Sequence, residues 1–261
     1  GSTDTTFTLA AGTLSFTGKT HTYTDDGPFT VTVTVNDGTV SDSETASVKV
    51  AGITVTETDG STSVGELATT DTFTVVLNAP PSSNVVIDVT SGDTDEATVS
   101  PGSLTFTSGN WDTAQEITVT GVNDSYDDGD KTTTITLSVD ADLSDNPYDP
   151  VANQTVSVTT VDDDTAGFTL SKTTASVNES GTPTDSFTVV LAARPYSNVK
   201  IGVTSDDTGE ATVSATSGLP LTFTTDNWNT AQTVTVTGQD DSVDDGNQST
   251  DITLSVDADL S

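Results

Sequence analysis

The residues of this chain best suited to chemistry are carboxylates, gathered in a stretch that occurs twice. Gly121–Asp130 reads GVNDSYDDGD, and Gly238–Asn247 reads GQDDSVDDGN, so each stretch holds four Asp residues. Carboxylates this close repel one another unless water, salt or a bound cation screens them. Closely packed oxygen ligands are what a hard cation such as Ca²⁺ prefers, and the spacing therefore points to cation binding. Solvated acidic turns that serve solubility are the alternative.

Alternating residues flank each acidic stretch and must position it. Before the first copy runs Gln115–Thr120 (QEITVT), and after it runs Thr132–Val139 (TTTITLSV). Alternation of Val, Ile and Leu with Thr predicts half-buried β-strands. The acidic stretch is therefore predicted to be a loop that joins two long strands.

A long internal repeat organises most of the chain. Asp71–Leu77 (DTFTVVL) returns as Asp185–Leu191 (DSFTVVL), and Ile135–Ser144 (ITLSVDADLS) returns unchanged as Ile252–Ser261. The offset is 185 − 71 = 114 residues early and 252 − 135 = 117 residues late, which indicates a three-residue insertion around Ala215–Gly218. A period of this length is a whole domain and not a solenoid unit, so the chain is predicted to contain tandem domains.

Seven short strands are predicted in the first repeat, separated by turn residues, and nowhere does the sequence show a helical pattern. This arrangement is typical of an all-β fold, and we expect tandem immunoglobulin-like antiparallel β-sandwiches. Trp111 and Trp228 open the fifth strand of each repeat, where we expect them to cap the core. The predicted strands centre on Ile53–Thr56, Thr72–Leu77, Val85–Val89, Leu104–Phe106, Gln115–Val122, Thr132–Val139 and Thr155–Val161.

Composition excludes several classes of function. With 6 Lys and Arg against 40 Asp and Glu, the formal charge is −34, so nucleic acid and anionic membrane are unsuitable partners. No apolar run reaches the length of a membrane span. The chain has no Cys and a single His, His21, which has no local set of catalytic partners. We therefore expect neither disulfides nor enzymatic activity.

The first segment contains a predicted hairpin. Phe29–Val35 and Thr45–Val50 alternate, and Asn36-Asp37-Gly38 lies between them as a turn. Residues His21–Val50 resemble the C-terminal half of a polycystic-kidney-disease (PKD) domain, an immunoglobulin-like sandwich. The resemblance implies a partial domain over residues 1–51.

The repeats themselves resemble another family. The order of Ser103–Phe106, a Trp turn, Ile117–Val122, the acidic loop, a long strand and a closing Asp162–Asp164 is similar to that of Calx-β domains. That module is named for the regulatory domain of the sodium/calcium exchanger, and it recurs in tandem in large bacterial surface proteins. The resemblance implies one repeat over residues 52–165 and a second, without its last strand, over 166–261.

The Calx-β resemblance implies a cluster of Ca²⁺ ions at one end of each sandwich. Asn123 and Asn247 stand where acids are usual, so we expect fewer or weaker ions than in the regulatory members. Residues at positions matching the family's ligands are Glu66, Asp93, Asp95, Glu96, Asp124, Asp127, Asp128, Asp130, Asp162, Asp163 and Asp164 in the first repeat, and Glu179, Asp206, Asp207, Glu210, Asp240, Asp241, Asp244 and Asp245 in the second.

Three functions remain open from the sequence. The first is a structural module of a secreted or surface-anchored tandem-repeat protein, an adhesin stalk or scaffold rigidified by calcium. The second is a subunit of an extracellular filament, in which an incomplete sandwich accepts a strand from the next copy. The third is a carbohydrate-binding accessory module of a secreted enzyme. All three place the chain outside the cell or at its surface, with neighbouring modules, other copies or surface polysaccharides as partners. The lack of Met and of a signal peptide leads us to expect an interior or processed piece of a longer protein.

Overall fold

A computed structural model describes the backbone of residues 28–36 and 41–49, and all atoms of residues 50–240, 243 and 246–257. In the first segment, β1 (Pro28–Asn36) and β2 (Ser41–Lys49) pair antiparallel, with Asn36 opposite Ser41. The two strands of the predicted hairpin are therefore present. His21, the turn residues Asp37 and Gly38, and the candidate ligands Asp241, Asp244 and Asp245 lie outside the described residues.

The chain divides into two units by its contacts. The first holds residues 1–123 and 131–161, and the second holds residues 124–130 and 162–261. The acidic loop of the first repeat thus groups with the second unit. The domain boundaries inferred from the repeat, at 51/52 and 165/166, stay a prediction.

Within the first unit, strands β3 to β11 form a sandwich of two sheets. One has four strands in the order β3-β5-β9-β7, and the other has five in the order β4-β11-β10-β6-β8. All neighbouring strands in these two sheets are antiparallel except β4 and β11, which run parallel. The strands are β3 (Ile53–Glu57), β4 (Thr62–Gly65), β5 (Thr70–Leu77), β6 (Val85–Ser91), β7 (Ala97–Ser100), β8 (Ser103–Phe106), β9 (Gln115–Gly121), β10 (Lys131–Val139) and β11 (Gln154–Val161), and 3₁₀ turns span Thr58–Gly60 and Asn146–Tyr148.

Alternation predicts that Ile117 and Val119 of β9 and Ile135 and Leu137 of β10 point inward, and the structure confirms it. All four side chains are fully buried in one core. Burial of each such side chain contributes about 1.5–3 kcal/mol to folding. Trp111 is half-buried and packs against this core, as expected of a cap.

Two strands, β4 and β7, were not predicted. Each is four residues long, which is too short for alternation to distinguish a strand from a turn. β4 is placed by pairing rather than by its own sequence, because Thr62 and Val64 lie beside Val158 and Thr160 of β11.

The connection from β10 to β11 is pinned by two buried side chains. Asp145 accepts hydrogen bonds from the backbone N–H of Ser82 (2.7 Å) and from its hydroxyl (2.8 Å). The backbone N–H of Ser82 is the main reason why the pKa of Asp145 is lowered. The hydroxyl of Tyr148 donates to the carbonyl of Ala79. The connection fixed by these hydrogen bonds leads into β11, which lies between β4 and β10.

The second unit repeats the sandwich with fewer described strands. One sheet has the order β12-β13-β17-β15 and the other β16-β14-β18, and Trp228 packs against the core. All pairs are antiparallel. The strands are β12 (Phe168–Leu170), β13 (Asp185–Leu191), β14 (Val199–Ser205), β15 (Ala211–Ala215), β16 (Leu221–Phe223), β17 (Gln232–Gly238) and β18 (Ile252–Val256).

The sequence repeat predicts that Ile252 and Leu254 are buried like Ile135 and Leu137, and this prediction holds only in part. Both pack against the second core, yet both are half-buried. The reason is the missing neighbour: β10 lies between β6 and β11, whereas β18 pairs with β14 alone among the described strands.

Candidate metal centre

The acidic loop of the first repeat is folded by hydrogen bonds to its own carboxylates. Within the second unit, Asp124 accepts the backbone N–H of Tyr126 at 2.7 Å. One oxygen of Asp162 accepts the N–H groups of Asp128 (3.0 Å) and Gly129 (2.6 Å). Gly129 has φ +74°, a conformation that L side chains rarely adopt, which explains a glycine at this position. The loop is therefore tied to the segment that follows β11.

That following segment continues the network. The other oxygen of Asp162 accepts the N–H of Asp164 at 2.8 Å, and the N–H of Asp162 donates to Asp130 at 3.1 Å. Asp127 accepts the N–H of Ala166 at 2.7 Å. Backbone donors thus orient these carboxylates, although they do not cancel the accumulated negative charge.

The electrostatic cost of the arrangement shows at Asp164. Burial raises the pKa of its carboxyl group, and the nearby charges of Asp163, Asp162, Asp124 and Asp127 raise it further. A raised pKa means that the charged form is disfavoured, and a bound cation would reverse that preference.

Glu66 approaches from the end of β4. Its side chain is only 2 % exposed, which is unusual for a carboxylate. Its backbone N–H donates to the carbonyl of Val161, the last residue of β11, at 3.2 Å. Because Asp162 follows Val161 directly, the chain itself brings the two acids together. One carboxylate oxygen from each of Glu66, Asp162 and Asp164 lies within 4.8 Å of the others.

These three carboxylates fit a Ca²⁺ ion by chemistry and by spacing. Ca²⁺ is bound by oxygen ligands at about 2.3–2.6 Å, so two ligands of one ion lie at most about 5 Å apart. Glu66, Asp162 and Asp164 meet that limit. They would supply part of the six to eight oxygens that Ca²⁺ usually takes.

The other predicted ligands of the first repeat lie around this centre or away from it. Asp124 and Asp128 are half-buried, whereas Asp127, Asp130 and Asp163 are exposed. Asp93, Asp95 and Glu96 form the turn before β7, where Asp93 accepts the N–H of Asp95 at 3.0 Å and the carbonyl of Glu96 accepts the N–H of Val122 at 2.9 Å. None of these eight belongs to the three-carboxylate group, and their role as ligands stays a prediction.

In the second repeat the described acids do not gather in the same way. Glu179, at the position of Glu66, is exposed, as are Asp206, Asp207 and Asp240, and Glu210 is half-buried. Among the described residues, no three carboxylates of this repeat come close enough to hold one ion.

A contact set that sequence reasoning missed holds the acidic loop inside the second unit. The rings of Tyr126 and Tyr196 stack with centroids 4.5 Å apart, and the guanidinium of Arg194 lies 5.2 Å from the centroid of Tyr126. The backbone N–H of Arg194 donates to the carbonyl of Ser125, and the hydroxyl of Tyr196 donates to Asp128 at 3.1 Å. The available signal was the substitution of Arg194-Pro-Tyr196 for Pro80-Pro-Ser82 between the repeats.

Comparison with known proteins gives little further guidance. The sequence matches no protein-family profile and no curated protein. Among solved structures, CBD12 from CALX1.2 is 16 % identical with a TM-score of 0.32, covering 77 % of this chain and 79 % of its own. Domains 4 and 5 of the S-layer protein SbsC are 18 % identical with a TM-score of 0.30, covering 66 % and 70 %. At such scores these likenesses carry no argument. No helix in the described part of the chain is long and apolar enough to cross a membrane.

Proposed function

We propose that this chain is a structural module of a secreted or surface-anchored tandem-repeat protein, and that Ca²⁺ rigidifies the acidic end of its first repeat. The observation that carries the proposal is the convergence of buried Glu66 with Asp162 and Asp164. The proposal assigns the chain no catalytic activity. Its place outside the cell or at the surface, as a stalk or scaffold, belongs to the same proposal.

Coulomb repulsion supplies the physical reason. Like charges within 4.8 Å of one another, one of them buried, destabilise the folded chain in the absence of a cation. A divalent cation would turn the repulsion into ligation by the carboxylates of Glu66, Asp162 and Asp164. A ligand that binds only the folded state stabilises it by RT ln(1 + [L]/Kd), which is about 2.7 kcal/mol at 100 times Kd.

Thermal melting of the full chain tests the proposal. Ca²⁺ should raise the melting temperature of the chain at fixed ionic strength, and excess chelator should reverse the shift. An equal shift with Mg²⁺ or with NaCl alone would mean that the acids only need screening, and it would overturn the proposal. Identical melting in Ca²⁺ and in chelator would overturn it as well.

Variants locate the effect. Glu66→Gln and Asp164→Asn remove charge from the centre, so each should abolish most of the Ca²⁺ shift while leaving the chain folded in chelator. Asp142→Asn is the matched control, because Asp142 is exposed and lies outside the three-carboxylate group. A Ca²⁺ shift unchanged in Glu66→Gln would place the ion elsewhere. The expectation that Ca²⁺ also limits bending between the repeats stays a prediction, which small-angle scattering with and without Ca²⁺ checks.

A further inference from the structure

Two tyrosines of the second unit stack in a way that suits oxidative coupling. Tyr126 lies in the acidic loop and Tyr196 lies in the loop between β13 and β14. Their rings are nearly parallel, with an interplanar angle of 16° and centroids 4.5 Å apart. Stacking of this kind is an ordinary packing contact. The exposure and the hydrogen bonding of this pair give it a chemical use that packing does not require.

The pair is not a consequence of the internal repeat. Val243 stands at the position of Tyr126 in the second repeat, and Ser82 stands at the position of Tyr196 in the first. Two separate differences between the repeats therefore meet in one contact. Both tyrosines lie outside the strands, so their side chains can rotate without breaking a sheet.

Tyr196 is accessible to a large oxidant. It is 70 % exposed, and the Tyr126 ring stacked on it is half-buried. Ser82, its counterpart in the first repeat, is exposed as well, although β11 is present in that repeat. Exposure at this position is therefore a property of the loop.

The hydroxyl of Tyr196 already has a proton acceptor. It donates to the carboxylate of Asp128 at 3.1 Å, which is within the reach of a general base. A phenol that loses an electron must also lose its proton, so a carboxylate at hydrogen-bond distance favours the oxidation of Tyr196.

The rest of the chain offers an oxidant few alternatives. Cys and Met, the side chains that oxidants commonly attack, are absent from the sequence. Tyr148 is 1 % exposed and its hydroxyl donates to the carbonyl of Ala79, while Trp111 and Trp228 are half-buried. Tyr23, the fourth tyrosine, lies outside the described residues.

We propose that Tyr126 and Tyr196 form a dityrosine cross-linking site, the substrate of a one-electron oxidant of the haem-peroxidase class that uses H₂O₂. Each phenol gives up one electron and one proton, and the proton of Tyr196 leaves through Asp128. The two phenoxyl radicals join through ring carbons ortho to the hydroxyls, and the hydrogens on those carbons move to oxygen to restore both phenols. The electrons and protons reduce H₂O₂ to water.

The new carbon–carbon bond would fasten the acidic loop to the loop between β13 and β14 within the second unit. A covalent link between distant residues restricts the unfolded chain, as a disulfide does, in a sequence that has no Cys. The inference goes beyond the proposed function and needs no Ca²⁺, since Asp128 is outside the three-carboxylate group.

Treatment of the folded full chain with H₂O₂ and a haem peroxidase tests the assignment. The product should be a monomer on a denaturing gel and should show dityrosine fluorescence. Proteolysis should release peptides joined at Tyr126 and Tyr196, with the loss of two hydrogen atoms. Tyr196→Phe keeps the ring but removes the phenol, so this product should be lost. Tyr148→Phe is the matched control and should leave it unchanged, because Tyr148 is buried.

A photochemical one-electron oxidant, which also works in urea, separates the effect of the stack from chance encounters. In the folded chain it should give the same joined peptides, and in the urea-unfolded chain the preference for Tyr126 with Tyr196 should disappear. Persistence of that preference in urea would overturn the proposal, because the stack would not be its cause. Absence of the joined peptides from the folded chain, or cross-linked dimers as the main product, would overturn it as well.

Discussion

The two repeats contain the same six described residues, ITLSVD, at 135–140 and 252–257, in two different environments. In the first repeat Ile135 and Leu137 are fully buried, whereas Ile252 and Leu254 of the second are half-buried. The local sequence is identical, so the difference comes from the neighbouring strand. Burial in a sandwich is thus a property of the completed sheet and not of the strand that carries the apolar residues.

The acidic ends differ for a related reason. Glu66 follows a strand, β4, that β11 holds by parallel pairing, and its side chain is buried. Glu179 follows residues 175–178, which pair with no strand among the described residues, and its side chain is exposed. The same acid becomes a candidate ligand only where the last strand is in place.

Truncation of the paired leucines should give the largest difference between the repeats. Leu137→Ala removes a fully buried side chain and should cost about 2–5 kcal/mol in free energy of unfolding. Leu254→Ala removes a half-buried side chain and should cost less than half as much. Urea unfolding of the two variants measures both values. Equal costs would show that Leu254 is as well packed as Leu137 and would contradict the comparison.

Gly121 and Gly238 occupy equivalent positions in the two repeats, and substitution of either should destabilise its repeat to a similar degree. A Cβ at Gly121 would lie 2.3 Å from the carbonyl oxygen of Gly65, and one at Gly238 would lie 2.1 Å from that of Asn178. Ala at either position should cost about 1–3 kcal/mol, since the facing segment must shift. Gly102→Ala is the control, because its nearest contact is an ordinary 3.9 Å. If Gly238→Ala left the free energy of unfolding unchanged, the backbone around Asn178 would have to shift without cost.

A smaller difference should appear in acid. Asp71 and Asp185 occupy the same position and each accepts two backbone N–H groups, but Asp185 also pairs with Lys172. The hydrogen bond from Lys172 is the main cause that lowers the pKa of Asp185 from 3.8 to about 2. Because its pKa is lowered in the folded state, Asp185 stabilises the fold at pH values above its ordinary pKa of 3.8. This stabilisation is lost as the pH falls toward 2.

Lys172→Gln therefore should destabilise the second unit at about pH 6 and make little difference near about pH 2. Denaturant unfolding at several pH values measures the gap between wild type and variant. If the difference in free energy of unfolding between wild type and Lys172→Gln stayed constant over this pH range, the proposed effect of the Lys172–Asp185 ion pair would be contradicted. Glu57→Gln is the comparison variant in the first repeat. Its difference in free energy of unfolding from wild type should not shrink in the same way at low pH, because Glu57 brings no positive charge to Asp71.

Much of the fold could be predicted because alternation is a local signal. The predicted strands around Ile117, Leu137 and Val158 formed, and their inward residues are buried, since period-two patterning fixes which face meets the core. The two missed strands, β4 and β7, are each only four residues long, and β4 depends on a partner that is distant in sequence. Nothing in four residues encodes a parallel pairing with a strand about a hundred positions away.

The sequence identified the acidic residues from which the candidate site is built, but it did not identify which of them converge. The acidic loops and Glu66 were identified from the repeat and the family resemblance, yet sequence alone could not select Glu66, Asp162 and Asp164 from nineteen candidates. These three acids converge because of the turn after β11 and because the hydrogen bonds of Asp145 and Tyr148 hold the connection that leads into β11. The contacts of Tyr126 with Arg194 and Tyr196 escaped prediction, because they join residues about seventy positions apart.

Anomalous diffraction from a crystal of the full chain grown with Ca²⁺ tests the central claim most directly. The account predicts an anomalous peak within about 2.3–2.6 Å of oxygens from Glu66, Asp162 and Asp164. A crystal grown in Ca²⁺ with no peak at Glu66, or with its peaks confined to exposed acids such as Asp93 and Asp206, would contradict it.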